Sequence, residues 1–325
     1  MKKRICCFIL AFILIAICQT GCGKKDNGMK KVVLNEVAHS IFYAPQYVAI
    51  EMGYFKDAGI DLVLETGFGA DKTMTALISG NADIGFMGSE STIYAYAEGS
   101  KDYAVNFAGL TQRAGNFLVA REKIDNFSWD MVKGKNVLGG RKGGMPQMVL
   151  EYILKANNID PASDLSIDQS VDFGLTAGAF SGNTEYDFTV EFEPGATSLE
   201  KEGKGYVVAS LGVDSGYVPY TAYSAKKSYI EKNPEIIKDF TSAIQKGLDY
   251  VNSHSSAEIA KVIAPQFEDT DIDTITTIVE RYKSQDTWKK ETVFTRESFE
   301  LLEDILIEAG ELKEKVPYED LVKVD

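Results

Sequence analysis

Residues 42–62 read FYAPQYVAIEMGYFKDAGIDL, and this stretch decides the fold class. Within it, residues 43–52 place apolar side chains at helical spacing, and Pro45 stands where a first helical turn accepts proline. The glycine that follows ends this helix, and residues 62–65 form a predicted strand. A β-branched run at residues 31–37 precedes the stretch as another strand. The order strand, helix, strand is the repeating unit of an α/β sheet.

The same alternation extends along the whole chain. Short apolar runs predict further strands at residues 83–86, 105–110, 117–120, 132–138, 187–191, 206–210 and 220–224. Helical periodicity predicts helices at residues 70–79, 89–98, 145–157, 234–253, 256–263, 272–283 and 296–310. Strands separated by helices of about ten residues are typical of a parallel, doubly wound sheet.

The length of 325 residues favours two α/β lobes over one. The pattern restarts near Gly115 and returns near Tyr220, so we expect the chain to leave one lobe, build a second and come back. Lobe 1 is then residues 30–114 plus 216–325, and lobe 2 is residues 115–215. Two crossings act as a hinge, and ligands bind between such lobes at the carboxyl ends of strands.

The N-terminus has the layout of a secretory signal over residues 1–21. Lys2, Lys3 and Arg4 precede an apolar run of 14 residues at 5–18, which is short for a membrane span. A short transmembrane anchor is the alternative. No other stretch of the sequence is long and apolar enough to cross a bilayer.

Cys22 is the predicted lipidation site. Thr20-Gly21-Cys22 resembles the end of a bacterial lipobox, although Gln19 replaces the usual aliphatic residue. The other three cysteines lie within the predicted signal, so the mature domain would hold neither a thiol nor a disulfide and would fold on its core alone. Residues 22–29 form a polar, lipid-anchored tether.

The charge of the chain excludes several partners. The formal net charge is −14, and residues 1–21 carry three positive and no negative side chains, so the remainder carries −17. Such an acidic surface repels nucleic acid and anionic headgroups. We therefore expect no nucleic acid partner, and membrane contact only through the lipid on Cys22. The predicted protein is an extracytoplasmic, lipid-anchored monomer.

Three motifs carry a family resemblance. The first is the stretch at residues 42–62, the second is ALISGNADIGF at residues 76–86, and the third is KGKNVLGG at residues 133–140. Together they resemble the solute-binding proteins of ABC importers for nitrate, sulfonates, taurine and thiamine-pyrimidine precursors. The resemblance implies the type II periplasmic-binding-protein fold, with two doubly wound lobes and a hinged cleft. It also implies a small-molecule solute, an ABC permease with its ATPase as partners, no catalytic residue and no cofactor.

Polar and glycine-rich loops after predicted strands give the candidate ligand-binding residues. They are Asn35, His39, Phe42, Ser89, Glu90, Gly143, Gly144, Met145, Glu191, Glu193 and Tyr220. Ser89 is equally suited to be a helix N-cap, and the glycine-rich loop before residue 145 can offer backbone N–H groups to a small polar ligand. Only two histidines, His39 and His254, and no mature cysteine are present, so no metal site is expected.

Glu191 and Glu193 follow a strand at a place that lies at the cleft in the resembled group. An enzyme would use two such carboxyls as acid and base. We favour instead one solvated carboxylate and one that binds ligand N–H groups, since no nucleophile accompanies them. The predicted ligand is therefore a pyrimidine-type or other N–H-rich heterocycle. A sulfonate-like or nitrate-like anion, an enzyme of the same fold in pyrimidine-precursor synthesis, and a sensory module remain alternatives.

Overall fold

The computed structural model describes residues 28–171 and 174–323. The predicted signal at residues 1–21, Cys22 and most of the tether at 22–29 lie outside the described residues. Across the two described ranges, no helix combines the length and the apolar character needed to span a membrane.

Two five-stranded sheets form the frame of the molecule. The first, in lobe 1, has the spatial order β2-β1-β3-β10-β4 and consists of β1 (Lys30–Glu36), β2 (Ile60–Thr66), β3 (Ile84–Gly88), β4 (Ala104–Gly109) and β10 (Thr221–Lys226). The second, in lobe 2, has the order β7-β6-β8-β5-β9 and consists of β5 (Phe117–Ala120), β6 (Asn136–Leu138), β7 (Ser166–Asp168), β8 (Phe188–Glu191) and β9 (Tyr206–Ser210).

Both sheets are mixed, so the predicted parallel order of strands holds for only part of each sheet. In lobe 1, β1 runs parallel to β2 and β3, but β10 is antiparallel to β3 and β4. In lobe 2, β5 is antiparallel to β8 and β9. These two strands follow directly from segments that pass between the sheets. A strand that enters a sheet in this way needs no covering crossover helix, and it can run antiparallel to its neighbours.

The chain passes between the sheets twice. The first crossing, residues 110–116, joins β4 to β5, and the second crossing, residues 211–220, joins β9 to β10. The two crossings bond to each other, since Val218 N donates to Gln112 O at 3.0 Å and Tyr220 N donates to Thr111 O at 3.4 Å. They therefore lie side by side between the lobes.

Fourteen helices within the described ranges cover the sheets. They are α1 (Ala44–Glu51), α2 (Tyr54–Asp57), α3 (Ala70–Ser79), α4 (Glu90–Ala97), α5 (Met145–Ala156), α6 (Thr176–Gly182), α7 (Gly195–Lys201), α8 (Leu211–Asp214), α9 (Lys227–Lys232), α10 (Pro234–Ser253), α11 (Ser256–Ile263), α12 (Ile272–Ser284), α13 (Arg296–Glu308) and α14 (Tyr318–Leu321). Three short 3-10 turns occupy Ile41–Tyr43, Trp129–Val132 and Ala264–Gln266. The predicted bounds of α3, α10 and α11 are confirmed.

Helix α10 closes the core of lobe 1. It packs along α1, and a Cβ atom on Gly247 would lie 2.1 Å from the backbone oxygen of Pro45, so only glycine permits this approach. On the same face Phe240 contacts Tyr223, which stacks on Phe86 with 4.3 Å between ring centroids. This packing fixes the sheet from which the site-forming loops of lobe 1 emerge.

The C-terminal helices contact both lobes. Helix α12 places Arg281 against Glu193 and Glu200 of lobe 2. Helix α13 packs against α5, where Lys155 Nζ donates to Glu308 O at 2.7 Å. The lobes are thus joined by these helices as well as by the two crossings.

Candidate functional site

A cavity of about 750 Å³ lies between the lobes. From lobe 1 it is lined by loops that follow β1 and β3 and by the first turns of α3 and α4. From lobe 2 it is lined by the loop before α5 and by residues 190–195, at and after the end of β8. Carboxyl ends of strands and beginnings of helices therefore meet here, as they do at ligand sites of α/β proteins.

Eight of the eleven sequence-predicted residues line this cavity. They are His39, Glu90, Gly143, Gly144, Met145, Glu191, Glu193 and Tyr220. The other three, Asn35, Phe42 and Ser89, are buried but are not part of the lining. Phe192 and Tyr220 contribute aromatic rings to the lining.

The three predicted residues outside the lining have structural partners. Asn35 Oδ1 accepts a hydrogen bond from Thr73 Oγ1 at 2.9 Å. Ser89 is the N-cap residue of α4 by position, but its Oγ donates to Pro219 O at 3.0 Å and accepts no hydrogen bond from the first turn of the helix. Phe42 is fully buried among aromatic rings of both lobes and of α12, namely Tyr43, Phe192, Tyr220 and Tyr282.

Glu90 is a buried carboxyl of lobe 1 that faces the cavity. It begins helix α4, its residue is 2% exposed, and its Oε2 atom has no hydrogen-bond partner among the described residues. Burial raises the pKa of Glu90 to about 8, while the backbone N–H groups of Glu90 and Met145 oppose this rise. An unpartnered buried carboxyl is costly, and this one is positioned to receive a donor from a ligand.

Glu191 is the corresponding carboxyl of lobe 2. It ends β8, is 3% exposed, and accepts hydrogen bonds from Thr189 Oγ1 at 2.6 Å and Thr176 Oγ1 at 2.9 Å. Burial raises the pKa of Glu191 to about 7, the two threonine hydroxyls lower it, and the nearby charge of Glu193 raises it. Neither Glu90 nor Glu191 forms an ion pair with a basic side chain in residues 28–171 and 174–323.

Tyr220 adds a second buried polar atom without a partner. The residue is 3% exposed, lines the cavity, and has no hydrogen bond to its hydroxyl oxygen within the described part of the chain. Its ring meets Phe42 edge-on at 5.6 Å between centroids and lies 6.3 Å from Phe192. This tyrosine can therefore offer a hydroxyl to a ligand from a rigid aromatic wall.

The prediction that one of the two lobe-2 carboxylates is solvated was wrong. Glu193 is 2% exposed, forms an ion pair with Arg281, and accepts hydrogen bonds from Thr197 N at 2.9 Å and Thr197 Oγ1 at 3.0 Å. These partners occupy both carboxylate oxygens. Glu193 therefore holds α7 and α12 to the cavity wall, and Glu191 is the carboxyl that faces the ligand space.

Two amides of the glycine-rich loop before α5 are bonded within the loop and the helix that follows it. Gly143 N donates to Gln147 Oε1 at 2.6 Å, and Gly144 N donates to Arg141 O at 3.2 Å. The carbonyl of Gly143 instead accepts the hydroxyl of Tyr94 from lobe 1 at 3.3 Å. The predicted donor loop thus uses two of its amides internally and presents an acceptor to the opposite lobe.

The mouth of the cavity is bridged by charged side chains. Arg141 of lobe 2 contacts Asp71 of lobe 1 at 3.3 Å, and both side chains are about half exposed. Deeper in the cleft, Ser40 Oγ donates to Glu193 O at 3.0 Å. The lobes therefore touch on both sides of the cavity in this structure.

His39 lies at the edge of the cavity and is held on both sides. Its Nδ1 is 2.8 Å from Glu36 Oε1, and its Nε2 is 2.8 Å from Gln266 O. A carboxylate and a carbonyl both accept hydrogen bonds, so both ring nitrogens act as donors when the ring is charged. The hydrogen bond to Glu36 raises the pKa of His39, and burial opposes the rise. In the described ranges no group of three or more His, Cys, Asp or Glu is placed to hold a metal ion.

We expect this histidine to make stability depend on pH. The pKa of His39 is higher in the folded chain than the ~6.5 of an unfolded histidine, so its stabilisation is complete below that pH and is lost as pH rises through the folded value. The loss of unfolding free energy caused by His39→Gln should therefore be larger at about pH 6 than at about pH 9. Urea denaturation of both proteins at the two pH values measures this, and an equal loss at both would contradict it.

The sequence analysis did not identify the hydrogen-bond and ion-pair partners of the carboxyl groups at the site. Thr189 stands two residues before Glu191 on the same face of β8, and the period of a strand is a signal that finds it. Thr176 and Arg281 lie 15 and 88 residues from the carboxyls they contact, and no local pattern indicates either contact.

Comparison with known proteins identifies the family. The family model described as NMT1/THI5 like matches residues 41–257. The chain belongs to the NMT1/THI5-like family. This NMT1/THI5-like protein is 47% identical over 299 residues to the Bacillus subtilis (strain 168) protein named "Putative binding protein YtlA", covering 92% of this chain and 89% of that one. The predicted family resemblance is thereby confirmed.

Solved structures confirm the fold of this NMT1/THI5-like protein. The alkanesulfonate-binding protein SsuA of Xanthomonas axonopodis pv. citri, bound to MOPS, matches with a TM-score of 0.73 and 14% identity over 90% of this chain and 98% of that chain. A Candida albicans protein described as having the generic periplasmic binding protein fold matches with a TM-score of 0.69 and 14% identity over 91% and 96% of the two chains. The predicted periplasmic-binding-protein fold is correct.

Proposed function

We propose that this chain is the extracytoplasmic solute-binding component of an ABC importer. It captures an N–H-rich solute of pyrimidine type between its two lobes and delivers it to the permease, without catalysing a reaction. The binding-protein name of the Bacillus subtilis relative and the two-lobed fold support the general role. The class of solute rests on the residues of the cavity.

The observation that carries the proposal is the pair of buried carboxyls, one in each lobe. Glu90 and Glu191 both line the cavity, and neither has a basic partner among the described residues. A solute with N–H groups on opposite edges can satisfy both, through hydrogen bonds to charged acceptors. Above their pKa values of about 8 and about 7, the two buried carboxyls are ionised, and they repel an anion at the same position strongly in a poorly hydrated cleft.

The remaining residues of the cavity lining favour a ligand with a flat ring. Tyr43, Tyr94, Phe192 and Tyr220 contribute aromatic surface to the cavity, and its volume of about 750 Å³ accommodates a substituted heterocycle. The cationic side chains in the lining are Arg141 and Lys142, both of the loop before α5, and Arg141 contacts Asp71. Their position at one side of the mouth favours entry of a polar solute over deep binding of an anion.

Calorimetry of single glutamine variants tests the proposal, with 4-aminopyrimidine, an alkanesulfonate and nitrate as probes. At about pH 9, where both carboxyls are ionised, Glu191→Gln and Glu90→Gln are each expected to weaken 4-aminopyrimidine binding by about 1.5–3 kcal/mol, the range for a hydrogen bond to a charged group. Glu98→Gln, an exposed carboxyl in the lining, is the matched control and should leave affinity unchanged.

The sign of the pH dependence separates the two solute classes. With pKa values of about 8 and about 7, Glu90 and Glu191 ionise as pH rises, so affinity for an N–H donor should increase from about pH 6 to pH 9. Affinity for an anion should fall over the same interval. Tight binding of the sulfonate or nitrate that weakens with pH, together with unimpaired glutamine variants, would establish the anion alternative.

We also propose that Cys22 anchors the protein to the membrane through a lipid. The support is its position after Thr20-Gly21 at the end of an apolar segment. Cys22→Ser in the producing cell is expected to move the protein from the membrane fraction to the soluble extracytoplasmic fraction. An uncut, membrane-bound variant would instead show that residues 5–18 are a transmembrane anchor.

A further inference from the structure

A second, smaller pocket lies between the two crossings, and none of its lining residues lines the large cavity. Its volume is about 230 Å³. Thr111 and Gln112 of the first crossing and Tyr217 of the second form two of its walls, and Lys289 and Ser298 form a third. We call this the hinge pocket.

The unpaired ammonium group of Lys289 is the feature of the hinge pocket that indicates a ligand. Its backbone is fixed by hydrogen bonds of Lys289 N to Leu110 O and of Asn252 Nδ2 to Lys289 O. The ammonium group has no hydrogen-bond or ion-pair partner in the described part of the chain. The stem is tightly packed, since a Cβ atom on Gly109 would lie 3.1 Å from Lys289 Cδ. The lysine is partly buried, so its ammonium group loses some hydration without an anionic contact, and an anion in the pocket would compensate for that loss.

The charges around the hinge pocket favour an anion. Of the two nearby acids, Asp286 accepts the hydroxyl of Tyr217 at 2.6 Å, and Glu291 acts on Lys289 only through space. The guanidinium of Arg113 lies over the ring of Tyr217 at 4.1 Å and adds a second positive charge at the edge of the pocket. Burial lowers the pKa of Lys289, which a bound anion would reverse.

Ser298 adds a neutral donor to the same pocket. The Oγ of Ser298 is 3.1 Å from the hydroxyl of Thr295, which can donate to it, so the proton of Ser298 remains available for a ligand. Lys289 and Ser298 together supply a charged donor and a hydroxyl donor to one small space. Oxyanions such as phosphate or a short carboxylate are recognised by this combination.

We propose that the hinge pocket is a binding site for a small oxyanion, held by Lys289 and Ser298. Because its walls come from both crossings, any rotation of one lobe against the other changes the shape of the site. An occupant would therefore be sensitive to the angle between the lobes. This proposal is independent of the solute in the large cavity.

Isothermal calorimetry with inorganic phosphate tests the site, using sodium chloride to hold ionic strength constant. Wild type is expected to show saturable binding of one phosphate. Lys289→Met keeps most of the stem volume and should weaken binding at least about tenfold. Ser298→Ala should weaken it by a smaller factor, and Lys290→Met, the exposed neighbour, should bind like wild type.

Thermal unfolding supplies a second readout that does not depend on calorimetric heats. Without phosphate, Lys289→Met should melt at a higher temperature than wild type, because the variant removes a partly buried charge that has no ion-pair partner. With phosphate, only the wild type and Lys290→Met should gain stability. The proposal is overturned if wild type shows no saturable binding, or if Lys289→Met and Ser298→Ala both bind phosphate as tightly as Lys290→Met.

Discussion

Replacement of Phe42 by alanine is expected to lower the free energy of unfolding by about 3–5 kcal/mol. The ring is fully buried and contacts residues of both lobes, of the second crossing and of α12. The first crossing also packs flat against it, since a Cβ atom on Gly115 would lie 2.5 Å from the ring. No neighbour can fill the space without moving a lobe, so most of the lost contact energy should appear as reduced stability.

Urea denaturation of three proteins checks this expectation. Phe68→Ala is the matched control, because the Phe68 residue is 64% exposed and its removal should cost less than about 0.5 kcal/mol. Phe42→Leu retains part of the buried volume and should fall between the two. If Phe42→Ala keeps its stability and loses only solute binding, Phe42 is a ligand contact, as its position in the sequence had predicted, and the packing role is refuted.

Replacement of Arg281 by methionine should be nearly as damaging, at about 3–5 kcal/mol. Arg281 is the ion-pair partner of the fully buried Glu193 side chain and also contacts Glu200 at 2.8 Å. Without the guanidinium, Glu193 keeps its hydrogen bonds to Thr197 but loses its neutralising charge. The guanidinium itself is about a quarter exposed, so water can partly replace it, and we expect a value toward the lower end of the range.

An exposed ion pair provides the control for the Arg281 experiment. Arg296 pairs with Glu319 where both side chains are at least half exposed, and Arg296→Met should cost less than about 1 kcal/mol. In addition, Glu193→Gln combined with Arg281→Met should recover part of the loss, because the buried charge is then absent. Equal losses for Arg281→Met and Arg296→Met, or no recovery in the double variant, would contradict the buried-pair interpretation.

The local patterns of the sequence were sufficient to predict most of the helices and strands. The apolar spacing around Pro45, the stop at Gly80 and the long amphipathic run of α10 are each set by residues close in sequence, and all three elements appear. The direction of β10 was not predictable in this way. It depends on where the second crossing returns to the sheet, which is a property of the whole chain.

At the candidate site, too, some features follow from local sequence and others depend on distant residues. Glu90 begins helix α4 and Glu191 ends strand β8, so their places beside the cavity follow from local structure. Whether a carboxyl in such a place is free or paired depends on distant residues. Glu193 is taken up by Arg281, 88 residues away, and that contact made it part of the framework rather than a solvated group.

The central place of β10 in the first sheet determines the order in which the molecule can be completed. This strand lies between β3 and β4, yet it follows all five strands of lobe 2 in the chain. As the polypeptide emerges from the ribosome, the segment up to β4 lacks a central neighbour until residues 221–226 appear. Lobe 2 is contiguous in the chain, so its strands can pair first. The sheet of lobe 1 is therefore expected to stay incomplete until β10 has been synthesised, after the whole of lobe 2.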